Sequence, residues 1–456
     1  MTWGDRPVKH ALHKVIVAVT AAAFAGVGLS VPASAQKTHL AQTTITIWND
    51  LFGTTPPGVS NANFWPNRAI KLFEQMHPAI KVQVVATPAN ATSSFAALLK
   101  SSEVAGNTPD VAGLFAGGQV LQNTSYLLPL NRYISPSFKK SLYTGWQFAT
   151  ADFKASGPIY GVPYGAGYYY FVYYNKALFK KAGVNTNALP TTWPGLVSLA
   201  KKIKAHHILP FQFGEKDGFY GAWTEDALIS SEVGTQGVLS MYAGKLSLDS
   251  PTIIRPYKAW HELYADGLTN GDALSLDNNQ SFAQFAKGNG AMTITGGFAN
   301  GSLEVGAMKH NIGIFPVPAL PGARYPKVLS GGPNNDYVIF KSTKHPAQAM
   351  QLVKFLVSPR VQSMALSQGF GQLPDNASYV AGPSLAKIDP VLYQTYQYIR
   401  VKHYLLAEAF DNIMPGSVDS YWYQTNSGVF GGSLNASAAA SSLEQQEQTY
   451  LATNKG

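Results

Sequence analysis

The sequence predicts an α/β fold of two lobes followed by a helical C-terminal region. Strands and helices alternate from residue 44 to about residue 115, an order that implies a mainly parallel sheet with helices on both faces. A second α/β unit is predicted from about residue 168 to residue 316. Between the two units lies the stretch 161–175, which reads GVPYGAGYYYFVYYN and forms a natural crossing point between lobes.

The first unit is built from three short strands, predicted over residues 44–48, 81–85 and 110–115. Between the first two strands, apolar residues recur at i, i+3, i+4 and i+7 from Ala69 onward, which predicts an amphipathic helix with Pro66 near its start. A further helix is predicted around residues 95–99.

The second unit begins with the aromatic run after Gly167. Tyrosine, phenylalanine and valine favour a strand, and both faces of this strand are apolar, so we expect it to be covered on both sides. Further strands are predicted over 210–213, 291–295 and 312–315, and Thr192 is expected to cap a helix. A strand over 337–340 follows, and the remainder of the chain is predicted to be almost wholly helical, with Asn435 capping the last helix.

The first 35 residues have the features of a secretory signal. Arg6, Lys9 and Lys14 precede an apolar run over 15–29 that is too short to span a bilayer, and Ala33-Ser34-Ala35 has the small-x-small form of a cleavage site. We therefore expect an exported protein, periplasmic or associated with the cell envelope, cleaved near Ala35. A retained membrane anchor is the alternative.

Composition excludes several classes of function. Lysine and arginine form no cluster larger than pairs such as Lys139-Lys140, which argues against a nucleic-acid partner. The absence of cysteine excludes disulfides and thiolate metal sites. Charged residues make up 13% of the chain, against a usual value of about 25%, and the net charge is +9. We hypothesise that such a basic, charge-poor surface suits an acidic medium.

The sequence contains no recognisable catalytic or cofactor motif. H-E-x-x-H, G-x-S-x-G, a P-loop and a dinucleotide-binding turn are all absent, so we predict a protein that is not an enzyme and binds no cofactor and no metal. Glu225-Asp226 could be half of the carboxylate pair of a glycoside hydrolase, but the sequence offers no clear second carboxylate. The first turn of a helix, which favours acidic residues, is the preferred reading of this pair.

Aromatic side chains next to neutral polar ones are abundant instead. Pyranose rings present apolar C–H faces, which suit aromatic rings, and a rim of hydroxyls, which suit amide, carboxylate and tyrosine groups. Core packing explains any single candidate equally well, and only their joint placement near strand ends favours a binding site. The candidates are Trp48-Asn49-Asp50, residues 115–119, residues 164–168, Trp223, Phe298, Asn334-Asn335 and Tyr421-Trp422-Tyr423.

A series of motifs in order resembles the extracellular sugar-binding proteins of bacterial ABC importers, the family that includes maltose-binding protein. The motifs are TITIW at 44–48, FEQMHPAIKVQVV at 73–85, TPDV at 108–111, IYGVPYGAGYYYFVYYNKALFKKAG at 159–183, TTW at 191–193, FAKGNGAMTITGG at 285–297 and PVP at 316–318. The resemblance covers nearly all of the chain after the signal.

The resemblance implies a ligand cleft between the lobes. The residues that match cleft positions are Asn49, Asp50, Phe115, Gln119, Tyr164, Tyr168, Trp223, Phe298, Asn334, Asn335 and Trp422. Two departures stand out: Phe298 occupies a position where the family usually has tryptophan, and the lipobox cysteine of Gram-positive members is absent. The loop over 51–63 is long, which leaves the register near Asn49 open.

The resemblance also implies the organisation of the lobes and the function. Residues 36–165 and 317–371 are predicted to form the N-lobe, and residues 166–316 and 372–456 the C-lobe, with hinge closure about the crossings near 165, 317 and 372. The expected function is that of a monomeric receptor that binds a neutral mono- or oligosaccharide and delivers it to membrane permease subunits. The alternatives are a secreted glycoside-active enzyme, a binding protein for a non-sugar solute, and an adhesin.

Overall fold

A computed structural model describes residues 42–52, 59–88, 93–142, 146, 157–166, 169–368 and 383–453. The predicted signal and its cleavage site lie outside the described residues. The strands are β1 Thr43–Trp48, β2 Ile80–Val85, β3 Val111–Phe115, β4 Gly161–Ala166, β5 Tyr170–Asn175, β6 Met292–Gly296, β7 Ile312–Pro316, β8 Val328–Gly331, β9 Pro333–Ile339 and β10 Leu405–Glu408.

The helices flank these strands and fill the C-terminal region. They are α1 Trp65–Met76, α2 Ser93–Ala105, α3 Gly118–Gln122, α4 Pro136–Ser141, α5 Lys176–Lys181, α6 Trp193–Ala205, α7 Phe219–Tyr242, α8 Pro251–Ala265, α9 Asn278–Ala286, α10 Asn300–Leu303, α11 Pro346–Leu356, α12 Pro359–Leu366, α13 Pro383–Ile388, α14 Pro390–Arg400, α15 Phe410–Ile413, α16 Gly416–Phe430 and α17 Ala436–Thr453. The predicted α/β class is confirmed.

The first lobe is built on a five-stranded sheet with the order β2-β1-β3-β9-β4. β1 pairs parallel with β2 and β3, as the alternation of strands and helices predicts. β9 returns from far along the chain and pairs antiparallel with both β3 and β4. Ile45, Ile47 and Val111 face a buried core that also receives Phe73 from α1.

The second lobe is built on a three-stranded sheet with the order β6-β5-β7. β5 is buried along its whole length, as its two apolar faces predict. Its pairing with β6 and β7 is antiparallel, which differs from the parallel arrangement that the alternation favours. More than a hundred residues separate β5 from β6, so the connection allows either direction. The strand predicted over 210–213 is reduced to isolated bridges at Phe211.

A small parallel sheet of β8 and β10 connects the lobes. The chain leaves β8 through Gly331 and Gly332, whose φ angles of 138° and 142° are accessible to glycine, and enters the five-stranded sheet as β9. The chain thus passes from the small sheet into the five-stranded sheet at residues 331–333. The sequence predicts a crossing between the lobes near residue 317. The predicted lobe boundaries, including the crossing near residue 317, stay a prediction. β10 interrupts a region that the sequence predicts as helical.

α7 is a long helix of which the sequence predicted only a first turn, at Glu225-Asp226. Its residues 220–231 are all buried, so it lacks the apolar stripe that marks an amphipathic helix. At Gly234 the backbone takes φ 65° and ψ −178°, which kinks the helix. Such a conformation is essentially restricted to glycine. α8 and α16 pack on α7, and α17 packs on α8 and α16, around a core that includes Tyr257 and Trp422.

Within the described parts of the chain, we find no helix with the combined length and apolarity that crossing a membrane would require.

We predict that Gly234→Ala lowers the free energy of unfolding by about 2 kcal/mol or more, because a Cβ would strain the backbone and lie 3.0 Å from the Tyr325 ring. Gly271→Ala is the control, since a Cβ there meets no atom within 4 Å. Urea unfolding of both variants measures the difference. Equal stability of the two variants would contradict the assigned kink.

Candidate functional site

The first lobe contributes an aromatic ring and an amide at the end of β3. The backbone N–H of Phe115 donates to the Gln119 Oε1 atom at 3.0 Å, which links the last residue of the strand to α3. Both side chains are half-buried and line a cavity of about 520 Å³. The sequence predicted both as cleft residues, and the structure brings them together.

Asn49 follows β1, and its side chain forms hydrogen bonds within the first lobe. Its Nδ2 donates to the Tyr164 hydroxyl at 3.0 Å, and its Oδ1 accepts from the Leu51 N–H at 2.8 Å. Tyr164 in turn stacks on Tyr337, with ring centroids 3.9 Å apart. The exposed fractions of Asn49 and Tyr164 are 1% and 6%, so the described structure uses them mainly for packing. Their role as ligand contacts stays a prediction.

The second lobe contributes an aromatic cluster at the start of β5 and α7. The Trp223 ring lies 6.4 Å from Tyr170 and 5.0 Å from Phe298, measured between centroids. Phe298 folds back over Gly296, where a Cβ would lie only 2.7 Å from the phenylalanine ring. Phe298 is half-buried and Trp223 is 6% exposed. The sequence predicted Trp223 and Phe298 together, and Tyr170 was missed.

The cavity lies between α2, β3 and α3 of the first lobe and α15, α16 and α17, which pack on the second lobe. It is lined on one side by Phe95, Leu99, Phe115, Gln119 and Asn123, and on the other by Asp411, Asn412, Met414, Ser417, Asp419 and Ser420. Amide, hydroxyl and carboxyl groups therefore face one another across a space that suits a small polar molecule.

Five buried acidic side chains extend from this cavity towards the junction of the lobes. We call Asp226, Asp336, Glu408, Asp411 and Asp419 the carboxyl cluster; their exposed fractions are between 0% and 9%. The sequence motifs did not indicate the carboxyl cluster, and the neutral saccharide that the sequence predicts as ligand stays a prediction.

Hydrogen bonds join the carboxyl cluster to its surroundings. The Phe410 N–H donates to Asp226 Oδ1 at 2.8 Å, and Asn412 Nδ2 donates to Glu408 Oε1 at 3.2 Å. The Tyr170 hydroxyl lies 3.4 Å from both oxygens of Asp411. These bonds fix α15 against α7 and β5, which places Asp411 at the cavity wall.

Burial raises the pKa values of all five carboxyl groups. The pKa of Asp411 is raised to about 6, because hydrogen bonds from Asp226 and Tyr170 partly offset burial. Burial and the neighbouring Asp411 charge raise the pKa of Asp226 well above its usual value. Asp226 therefore retains a proton, which it shares with Asp411. Burial likewise raises the pKa values of Asp336, Glu408 and Asp419.

Among the described residues, no positively charged side chain shifts the pKa values of the carboxyl cluster. The charged groups that perturb the pKa values of its members are other carboxyl groups. Within the same described ranges, no three His, Asp or Glu side chains meet in a way that could hold a metal ion. The carboxyl cluster therefore has bound protons, and no positively charged side chain among the described residues, to limit its negative charge.

Trp422 does not line the cavity, which corrects its prediction as a cleft aromatic. Its exposed fraction is 0%, its Nε1 donates to Glu225 Oε2 at 2.9 Å, and its ring packs edge-on against Phe410 at 4.6 Å. On a helix packed against others, the residue that faces the core cannot also face a cleft, and sequence position alone did not distinguish the two faces.

Glu225 and Asp226 do not lie in the first turn of a helix, which is a second correction. α7 begins at Phe219, so the pair lies two turns inside it, and both side chains are buried.

The structure describes some of the remaining candidate ligand contacts and leaves others out. Tyr168 and the side chains of Asp50 and Asn334 lie outside the described residues. Asn335 is 9% exposed and pairs in register with Phe115 and Tyr164, so its ligand role stays a prediction.

On the wall opposite Phe115, the cavity residues that the sequence motifs did not predict come from the C-terminal region. Asp411, Asn412 and Asp419 lie on or beside two helices that are adjacent in the sequence, and no motif marks them. The only available signal was the concentration of acidic residues in an otherwise apolar segment, and that signal does not identify a binding site.

We predict that Trp422→Phe lowers the free energy of unfolding by about 1–3 kcal/mol, because it leaves the buried Glu225 carboxyl without its indole partner. Ligand affinity should stay within about twofold of the wild type, since the Trp422 ring has no surface on the cavity. Chemical denaturation and calorimetry measure the two quantities. A large loss of affinity with unchanged stability would reinstate Trp422 as a ligand contact.

We predict that the free energy of unfolding falls as the pH rises from about 4 to about 8. Burial raises the pKa of Asp411 to about 6 and that of Glu215 to about 8, so the folded protein binds more protons than the unfolded chain across this range. Thermal unfolding should give a higher Tm at about pH 5 than at about pH 8. Glu215→Gln should flatten this dependence, because an amide does not titrate, although its single oxygen can accept from only one of the two donors, Gly221 N–H and Trp260 Nε1. A Tm that rises steadily with pH would contradict the prediction.

Comparison with known proteins identifies the family. The profile of the family described as bacterial extracellular solute-binding protein matches residues 58–363, which is more than half of the chain. An uncharacterized ABC transporter extracellular-binding protein of Pyrococcus horikoshii is 23% identical over 295 residues, which is 64% of each chain. The sn-glycerol-3-phosphate-binding periplasmic protein of Brucella abortus is 27% identical over 197 residues, 40% of this chain and 44% of that one. The matches thus span less than two thirds of the length of these curated relatives.

Solved structures show the same fold. A chitin oligosaccharide binding protein superposes with a TM-score of 0.77 at 22% identity, covering 90% of this chain and 99% of that one. A maltose-bound protein of T. maritima superposes with a TM-score of 0.68 at 20% identity, covering 90% and 100% of the two chains. On the family match and this shared two-lobe fold, the chain belongs to the bacterial extracellular solute-binding protein family.

Proposed function

We propose that this protein is the extracytoplasmic receptor of an ABC importer and binds a mono- or oligosaccharide between its lobes. The observation that carries the proposal is the cavity of about 520 Å³ that has Phe115 and Gln119 on one wall and Asp411, Asn412 and Ser420 on the other. A ligand there touches groups of both lobes at once.

Contact with both lobes is what the mechanism requires. A ligand shifts a conformational equilibrium only through interactions that differ between the two states. Groups from α3 and from α15–α16 approach the same ligand only when the lobes are close, so binding stabilises a closed form by hinge motion. The closed form is then the state that the membrane permease subunits would recognise, and a monomer suffices for this cycle.

The chemistry of the walls favours a polyhydroxylated ligand. Carboxyl and amide oxygens accept hydrogen bonds from hydroxyl groups, and the ring of Phe115 offers an apolar face to a pyranose. The carboxyl cluster opposes an anion, because like charges in a site of low dielectric repel strongly. A phosphate ester, the ligand named for the Brucella relative, therefore suits this cavity poorly. The saccharides named for the two structural neighbours are the better guide to the class of ligand.

A secreted glycoside-active enzyme is the second candidate, because the carboxyl cluster supplies acidic side chains near the cavity. Glycoside hydrolysis needs two carboxyl groups about 5–10 Å apart, one on each side of the scissile bond. Asp226 and Asp411 instead share a proton directly, which leaves no room for a glycosidic bond between them. We therefore favour binding without turnover, together with export to the cell envelope as the family implies. A chromogenic glycoside should remain uncleaved.

We predict that calorimetry against a panel of mono- and oligosaccharides detects binding, and that Phe115→Ala and Gln119→Ala each weaken it about tenfold or more. The expected loss reflects a stacking surface in one case and a hydrogen-bonding amide in the other.

Gln236→Ala is the matched control, since Gln236 is exposed on the second half of α7 and does not line the cavity. Its affinity should equal that of the wild type. Absence of saccharide binding together with tight binding of an anion would refute the proposal.

A further inference from the structure

We propose that the saccharide carries a protonated amine, which binds at the carboxyl cluster beside Asp411 and Asp419; this inference rests on the proposed function and names its class of substrate. Some acidic oxygens of the carboxyl cluster have no hydrogen-bond partner within the protein. A chain that buries five carboxyl groups without a cation leaves a specific electrostatic requirement for its ligand.

Asp419 is the member of the carboxyl cluster that points to a ligand most directly. It lines the cavity, its exposed fraction is 8%, and its Oδ1 has no hydrogen-bond partner. Both oxygens of Asp336 are likewise buried without a partner. Buried acceptors of this kind are costly unless a donor reaches them. An ammonium group placed beside Asp411 and Asp419 would supply up to three donors.

Lys100, a cationic side chain at the edge of the cavity, does not neutralise the carboxyl cluster. Lys100 lines the cavity, but its side chain is 68% exposed and its Nζ lies 3.9 Å from Glu103, outside the carboxyl cluster. No lysine, arginine or histidine is among the groups that shift the pKa values of Asp226, Asp411 or Asp419. Positive charge at the carboxyl cluster must therefore come with the ligand or as bound protons.

A protonated amine differs from other saccharide substituents in its charge and in the number of hydrogen bonds that it can donate. A hydroxyl donates one hydrogen bond and brings no charge, so it leaves the repulsion between the carboxylates unchanged. An N-acetyl group is also neutral and bulkier. An ammonium group forms charge-assisted bonds, which are about twice as strong as neutral ones.

The test compares three saccharides that differ only at one carbon. Glucosamine, N-acetylglucosamine and glucose, and their β-1,4-linked oligomers of equal length, are titrated into the full-length mature protein at about pH 6, where the amine is protonated. We expect the free-amine series to bind at least about tenfold more tightly than both neutral series. Asp419→Asn should reduce this preference to less than about threefold, because it replaces a carboxyl group, which can release its proton when an ammonium group binds, with an amide that stays neutral.

Asp266→Asn is the matched control, since Asp266 lies on the surface, where it pairs with Lys201. It should keep the full preference of the wild type. Thermal unfolding establishes that Asp419→Asn is folded, and the comparison within the wild type tests the inference even if that variant fails to fold.

Equal or tighter binding of a neutral series would overturn the inference and leave the saccharide receptor intact. Binding of putrescine with no binding of any saccharide would overturn both the inference and the proposed function. Loss of the amine preference in Asp266→Asn to the same extent as in Asp419→Asn would also overturn the inference, because the preference would then reflect net charge and not the cavity.

Discussion

The burial of carboxyl groups without positive partners is the constraint on which the rest of this molecule depends. Taking an ionised carboxylate out of water is costly, so the group either finds hydrogen-bond donors or retains a proton. Asp226 and Asp411 show both solutions at once, since one shares its proton with the other while backbone and tyrosine groups supply donors. The architecture around them keeps this arrangement in place.

The carboxyl cluster has members on five elements, which are α7, β9, β10, α15 and α16. α7 carries Asp226 in its buried first half, and the helix packs against α8, α16 and β8. β10 brings Glu408 against Gly332, where a side chain on the glycine would collide with the carboxyl group. Gly331 and Gly332 turn the chain into β9 and so into the first lobe. Glu408 therefore lies beside the point where the chain enters the sheet of the first lobe.

The position of these acidic groups at the cavity and at the junction of the lobes bears on how a ligand is bound. A receptor must change its preferred conformation when its ligand arrives, and it does so through groups that are unsatisfied without the ligand. The cavity offers such groups on the wall formed by α15 and α16, and a ring and an amide on the wall formed by β3 and α3. A site of this kind explains how one fold accommodates ligands of different chemistry, because the fold supplies the hinge and the side chains at the walls supply the selectivity.

Local periodicity and short ordered motifs were enough to predict the α/β class, the first three parallel strands, the buried tyrosine-rich strand and the family. The same motifs predict Phe115 and Gln119 as cleft residues, because both lie within a few residues of a strand end. Helix packing, in contrast, turns Trp422 inward on α16, places Glu225 and Asp226 deep in a helix, and brings Asp411 and Asp419 towards Asp226. These residues are separated by nearly two hundred positions, and their proximity arises from the packing of helices whose buried faces leave no periodic signal in the sequence.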